Sequence, residues 1–493
     1  MTTITKSKYE VVIGIEVHAQ VLTKSKMFCP CSAEYHDSPP NTHVCPVCLG
    51  MPGLLPVINE RAVEFTIMMG LALNCTIPER SKFDRKNYPY PDLMKGYQIS
   101  QYDMPLCKDG WIEVDLEGEK KRIGITRVHL EEDTARSMHR ANQAGEEYSL
   151  IEVNRSGVPL MEIVSEPDVR SGLEARLYVT KLQQILRYLG ASRANLEEGN
   201  MRCEPNISLR TWGAKEFGSK VELKNLGSFR AVEHGILFEI ERQRALLDAG
   251  ERVAQETRGW RDAEGVTVSQ RSKEAADDYR YFPEPDLPPL AIAPAYVEEL
   301  RSRLPELPDA KRERLMKTYA LGLYEANLLT ATAAKADYFE QAMNAVPAGD
   351  AALLPRAKTI TNWMIGDFAR LLNASDIDIG QAKVAPVDLH DMIVMIEGET
   401  ISTTGAKSVF EEMFRTGKPP AAIVKEKGLT QISGTDELGS IVEKVIAENP
   451  KPVADFQGGK DAAIKALVGL VMRETRGRAK PGLVQDLLRD RLS

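Results

Sequence analysis

Between Tyr9 and Leu22, apolar residues fall on every second position: Val11, Ile13, Ile15, Val17, Ala19 and Val21. That alternation predicts a strand with one face in a core, because successive side chains leave a strand on opposite sides. The other face presents Glu16, His18 and Gln20, spaced about 7 Å per step of two residues. Strand-like alternation, broken by Gly and Pro turns, continues to about residue 290. It includes Lys220, Glu222 and Lys224 interleaved with Val221 and Leu223. Two stretches, Glu60 to Leu73 and Leu173 to Leu189, instead repeat apolar residues at three and four and predict helices. The proline-rich passage from Asp277 to Pro294 can continue neither a helix nor a central strand, so it predicts a boundary. From about Val297 the pattern is helical and rich in Ala, Leu, Glu and Lys. Small and polar residues from Gly398 to Gly405 break it, and short helices separated by Gly and Pro follow. The expected class is α+β, with a β-rich part at 1–294, a helical part at 295–406 and a tail at 407–493.

A chain of 493 residues exceeds one ordinary core, which agrees with several parts. Its 43% hydrophobic and 27% charged residues are ordinary for a globular protein. It contains no apolar run of the ~18 residues that a membrane-spanning helix needs. Met1 to Glu10 lacks the apolar stretch of a secretory signal, so the expected location is the cytoplasm, with no membrane partner. A net charge of −8 argues against a protein that coats nucleic acid without selectivity. The last 43 residues differ: nine Lys/Arg (451, 460, 465, 473, 476, 478, 480, 489, 491) face five acids, giving +4. Either a solvated helical surface or a grip on phosphates produces such a balance.

Chemistry-bearing residues cluster in the β-rich part. Glu131, Glu132 and Asp133 follow one another, and Glu162 stands among Leu160, Met161, Ile163 and Val164. Glu197, Glu198 and Glu204 lie close in sequence, and Glu222 shares a strand face with two lysines. Carboxylates inside apolar strands suit an oxygen-ligated Mg²⁺, with ion pairs to nearby cations as the alternative. From Phe83 to Asp103, Arg85, Lys86 and Lys95 interleave with Tyr88, Tyr90, Tyr97 and Tyr102. Cations and stacking faces suit a nucleotide or an RNA end, and equally a loop packed for stability. Gly213 to Lys220 has Walker-like glycine spacing but reads GSK where GK[ST] is needed, and its flank shows no buried strand, so it is set aside. Of seven cysteines, Cys29, Cys31, Cys45 and Cys48 form two close pairs thirteen residues apart. An odd count without an export signal disfavours a disulfide framework. The spacing fits a tetrahedral structural zinc knuckle at 29–48, with His36 or His43 as substitute ligands and reduced core cysteines as the competing reading.

Taken in order, IGIEVHAQ, SKMFCPC, NTHVCPVCLGMPG, SKFDRKNY, KGYQISQYD, ITRVHLEEDTA, NRSGVPLMEIVSEPD, VELKNLGSFR, QETRGW and DYRYFPEPDLPPL resemble the B subunit of the bacterial aspartyl/glutamyl-tRNA amidotransferase, the GatB family. The tail segment LVGLVMRETRGRAKPGLVQDLL resembles that family's C-terminal, YqeY-like domain. The resemblance implies a β-rich cradle that houses kinase and transamidase chemistry, then a helical domain and a tRNA-binding tail. It implies a carbon–nitrogen ligase that uses ATP to phosphorylate the side-chain carboxylate of Glu-tRNA(Gln) or Asp-tRNA(Asn), and then ammonia to form the amide. By motif, it makes Glu16, His18, Lys86, Glu132, Glu162 and Glu222 catalytic, and Lys86 a contact for ATP. It assigns Glu16, His18, Glu132, Glu162, Glu204 and Glu222 to Mg²⁺, and the four cysteines to zinc on the strength of their spacing. Ammonia would come from an amidase-type glutaminase, the A subunit, joined in a heterotrimer by a small C subunit. The resemblance also implies tRNA(Gln), tRNA(Asn) and a non-discriminating aminoacyl-tRNA synthetase as partners. Two departures bear on this: RCEPN stands where the family commonly has RCDAN, which adds a methylene at Glu204, and Pro89 and Met94 replace a usual Phe and Pro. A non-catalytic tRNA-binding scaffold is the rival reading, and an archaeal Gln-specific paralogue would need an insertion for which 493 residues leave no room.

Overall fold

The computed structural model describes residues 8–116, 118–142, 144–272, 279–347, 349–431, 435–475 and 478–492. The chain forms two compact units, Met1–Leu307 and Pro308–Ser493. Part of the boundary passage expected from Asp277, and Arg476 of the basic tail, lie outside the described residues.

The first unit is built on an eight-stranded sheet. Its strands are β1 (Tyr9–Gln20), β2 (Cys107–Leu116), β3 (Glu119–Glu132), β4 (Pro159–Ser165), β5 (Met201–Thr211), β6 (Val221–Lys224), β7 (Glu256–Arg261) and β8 (Val266–Ser272). They lie in the order β8-β7-β6-β5-β1-β4-β3-β2, antiparallel throughout except for β6 and β7. β1 is central, and the alternation read in its sequence is realised: Ile13, Ile15, Val17 and Ala19 are buried in the core. Each such aliphatic side chain taken from water stabilises the sheet by about 1.5–3 kcal/mol.

Three helices cover that apolar face: α1 (Glu60–Ala72), α2 (Gly172–Tyr188) and α3 (Phe229–Asp248). Each starts at a side-chain cap, Asn59, Ser171 or Ser228, whose oxygen accepts from a backbone N–H one turn on. The first two match the expected helices to within a residue or so. α3 was not expected. Its buried stripe passes through Gly235, Glu239 and Gln243, which hides the apolar period, and Glu239 is satisfied there by Arg242, Gln243 and Thr267. A Cβ on Gly172 would meet the Glu233 carbonyl oxygen at 2.6 Å, so glycine there permits the approach of α2 to α3.

In the second unit the described elements are helical, and they include a π-helical turn at Met364–Phe368. One hydrophobic cluster runs from Leu315 to Val424 around Phe368, whose ring meets Phe410 at 5.3 Å edge to face. A second joins Leu438, Val442, Leu467, Val471, Val484 and Leu488, at helical spacing within each segment. The helix Pro386–Glu397 ends at Gly398 and the next begins at Thr403, where the sequence breaks its periodicity. Among the described residues, no helix is long and apolar enough to cross a membrane.

Candidate functional site

The face of the sheet turned away from the helices is polar, and register sets its charges in rows. Glu162 on β4 pairs with His18 on β1 on one side and His129 on β3 on the other, while His18 also faces Arg202 on β5. One step along, Glu16 faces Glu204, and beyond that Asn206 on β5 faces Glu222 on β6. These residues line a cleft of about 500 Å³ together with Lys86, Arg127, Glu131, Lys220 and Lys224. Side chains of equal parity on neighbouring strands stand about 5 Å apart, which concentrates five carboxylates on one wall.

The distances make two groups. In the first, His18 Nε2 lies 3.4 Å from Glu162 Oε2 and 3.8 Å from Glu131 Oε1, and His129 Nε2 is 3.2 Å from the same Glu162 oxygen. The ligand atoms of His18, Glu131 and Glu162 all fall within 4.8 Å of one another, a spacing that one divalent cation can bridge. In the second, Lys224 Nζ sits 3.0 Å from Glu204 and 3.3 Å from Glu222, Thr257 donates to Glu222 at 2.8 Å, and Asn206 donates to Glu16 at 3.2 Å. Deeper in, Gln20 and Arg202 hold Asp133 at 2.8 and 3.1 Å.

The electrostatics follow from this crowding. Burial opposes charge on the His18 ring, yet Glu162, Glu131 and Glu204 hold it up at about 9. Burial likewise works against the Glu162 carboxylate, and the two histidines pull it well below the usual carboxylate range. Glu16 is pushed up by burial and by Glu162, Glu204 and Glu222. For Lys86, burial is outweighed by Glu131, Tyr281 and Glu162, which raise it. Among the described residues, Nδ1 of His18, Nδ1 of His129 and Nε of Arg127 are buried without a hydrogen-bond partner. Orphaned polar atoms in a cleft of this size fit a site shaped for a charged guest.

Of the residues singled out from sequence, the cleft gathers Glu16, His18, Lys86, Glu162, Glu204 and Glu222. It does not gather Glu132. Val128 and Leu130 on β3 face the core, and Glu132 shares their parity, so its carboxylate lies on the other side of the sheet. There it ion-pairs with Lys95 and accepts from the Ile99 N–H at 3.0 Å. The neighbouring Glu131 takes the place in the cleft assigned to Glu132. His129, Arg127 and Arg202 also line the cleft without having been singled out. Lys86 lies on the short strand Asp84–Asn87, which pairs with Tyr97–Ser100, and its Nζ is 4.9 Å from the Tyr279 ring centre.

Gly213–Lys220 does follow a strand, β5, contrary to the sequence reading, but it leads into β6 and not into a helix. A phosphate there would find no helix N-terminus.

The Sγ atoms of Cys29, Cys31, Cys45 and Cys48 all lie within 4.8 Å of one another. Tetrahedral zinc–thiolate bonds of about 2.3 Å place sulfurs roughly 3.8 Å apart, so the four fit a closed metal site. A hydrogen bond from Cys29 pulls the Cys48 thiol well down, while burial and Cys45 push Cys31 up to about 11. Neither histidine enters the group; His43 Nε2 is 3.0 Å from Ser38 Oγ. Cys29 and Cys48 also line the small cavity of about 90 Å³ that contains Lys95 and Glu132.

Comparison with known proteins places these features in one lineage. The profile described as "GatB/GatE catalytic domain" matches residues 11–298, and the one described as "GatB domain" matches 337–492. The chain is 52% identical, over 99% of both lengths, to the B subunit of the aspartyl/glutamyl-tRNA(Asn/Gln) amidotransferase of Dehalococcoides mccartyi strain CBDB1. The proteins of the same name from Thermomicrobium roseum and Moorella thermoacetica are 54% and 52% identical over 98% of this chain.

Proposed function

The chain belongs to the GatB family, and from that premise we propose that it is the B subunit of a tRNA-dependent amidotransferase, a carbon–nitrogen ligase with glutamine as nitrogen donor. Its substrates are Glu-tRNA(Gln), Asp-tRNA(Asn) or both. The γ-phosphoryl group of ATP passes to a side-chain carboxylate oxygen of the misacylated residue, and ADP leaves. Ammonia then attacks the acyl carbon, the C–O bond to phosphate breaks, and nitrogen loses a proton. The observation that carries this reading is the row of Glu16, His18, Glu162, Glu204 and Glu222 lining one cleft together with Lys86 and Lys224. Phosphoryl transfer needs little covalent help and much charge stabilisation, which such a constellation provides.

In this reading His18, Glu131 and Glu162, with Glu16, Glu204 and Glu222 beside them, hold Mg²⁺, whose charge would offset that of the phosphate oxygens. Lys86 contacts the phosphates. The four cysteines bind a structural zinc. Ammonia comes from a glutaminase partner, the A subunit, and a small C subunit makes up the rest of a cytoplasmic heterotrimer. The cradle spans 1–294, a helical domain 295–406, and a tail 407–493 that grips tRNA, delivered by a non-discriminating synthetase. The test is the purified heterotrimer with ATP, glutamine and each mischarged tRNA. ADP and amidated tRNA in step with each other support the reading; tRNA binding without either product returns the chain to a scaffold.

A further inference from the structure

At the rim of the cleft Tyr102 and Tyr281 lie face to face, ring centres 4.3 Å apart and planes 10° from parallel. Tyr281 covers one face of Tyr102, yet 56% of Tyr102 remains in solvent, so its exposure falls on the outer face and edge. The ring stands on a fixed base, because the Tyr102 N–H donates at 3.1 Å to the buried Asp84, itself paired with Lys82. Behind it the rings continue inward: Tyr281 meets Tyr279 edge to face at 6.1 Å, and Tyr279 meets Tyr88 at 5.8 Å. Lys86 Nζ lies 4.9 Å from Tyr279, and all four tyrosines line the carboxylate cleft. An aromatic column therefore runs from the half-buried Lys86 to an open ring face at the mouth. Among the described residues, packing accounts for the inner face of Tyr102 and gives the outer one no ring partner.

We propose that the outer face of Tyr102 is an adenine subsite of this cleft, on which a nucleobase stacks while its phosphate or acyl end reaches inward toward Lys86. The proposal rests on the function stated above. A tyrosine held by its backbone and backed by a second ring loses little freedom on binding, and every base offers a π-face to it. Two reactants carry adenine, ATP and the 3′-terminal adenosine of tRNA, and the chemistry of the subsite is the same for both.

The test uses the assembled enzyme with Tyr102→Ala and Tyr102→Phe. KM is measured separately for ATP and for misacylated tRNA, and binding of each to the complex is followed by calorimetry. Loss of one base stack weakens binding by about ten- to a hundredfold. Tyr102→Ala is expected to weaken one of the two substrates by that factor with kcat within about twofold, and Tyr102→Phe, which keeps the ring, to match the parent. A shift confined to ATP assigns the face to its adenine, and one confined to tRNA assigns it to the terminal adenosine. The proposal is overturned by unchanged affinity for both, by equal loss for both, by loss of kcat alone, or by a Phe variant as impaired as the Ala one. Calorimetry reports on the subsite even if the parent complex makes no amide, an outcome that would sink the proposed function alone.

Discussion

Up to Leu307, the charges that define the molecule are buried: Glu162 between two histidines, Asp133 between Gln20 and Arg202, Glu239 beneath Arg242. Beyond Pro308, pairs such as Lys418–Glu426 and Lys460–Asp455, each at 2.9 Å, stand in solvent. Exposed pairs contribute little and can be lost cheaply, whereas a buried carboxylate is costly unless neighbours or a ligand compensate it. The contrast separates a unit whose charges must be compensated from one whose ion pairs are solvated.

The largest effect is expected in the cleft. His18→Ala, Glu131→Gln and Glu162→Ala should each lower ATP-dependent amidation by roughly two orders of magnitude or more, as removal of a charge-stabilising group from a preorganised site does. Affinity for tRNA, measured beside ADP release, should stay near that of the parent. Near-normal amidation in all three variants would make the buried charges structural and erase the distinction.

Next comes the cysteine group. Metal analysis of protein prepared without chelator should find about one zinc per chain. Cys45→Ser should lose the metal and cost about 2 kcal/mol or more of stability, read by denaturant unfolding, while the rate per folded enzyme survives. A zinc-free parent would remove this site from the account.

A pH effect of intermediate size belongs to the metal-free protein. His18 is raised in the fold to about 9 from an ordinary 6.5, so its contribution is complete below pH 6.5 and is lost as pH rises through 9. Stability should fall by at most about 1.4 kcal/mol per pH unit in that window, and His18→Gln should flatten the slope. A slope unchanged by the substitution would mean that the ring is not charged in the fold.

In the second unit, Lys451, Lys465 and Arg473 are exposed. Reversing all three to Glu should weaken tRNA binding about tenfold and flatten its dependence on salt, with stability nearly unchanged. Unaltered affinity would leave the basic tail as solvated surface. Lys418→Ala is the smallest test, expected to stay within about 0.5 kcal/mol of the parent in thermal unfolding.

Much of this was legible in the chain because β1 and β6 keep strict parity. Residues 11 to 21 announced a strand, its core face and the opposite row of Glu16 and His18, and Val221 with Leu223 announced the face of Glu222. The same rule, carried along RVHLEED, would have separated Glu131 from Glu132, since Val128 and Leu130 fix which face is buried. What pattern could not supply is pairing. Nothing local says that Glu162 sits between His18 and His129, because those residues come from three strands far apart in sequence and meet only through register. α3 escaped for the opposite reason. Its polar stripe residue Glu239 is compensated by Arg242 one turn on and by Thr267 of β8, the latter a partner that the helix's own period does not reveal.

The parity of β3 has one more consequence, for which changes in the gene this protein can survive. Adjacent links of one strand, Glu131 and Glu132, furnish two separate chambers with an acid apiece. Substituting either residue alters one chamber. Beyond the irregularity at Ile125–Arg127, deleting or inserting a single residue between Arg127 and Glu131 would put the two sides of the change out of step, either handing each acid to the wrong chamber or driving Val128 and Leu130 toward the polar face. In a population of variants this stretch should therefore tolerate altered letters far better than altered length, and sequencing the survivors of a random codon-deletion library would display the gap.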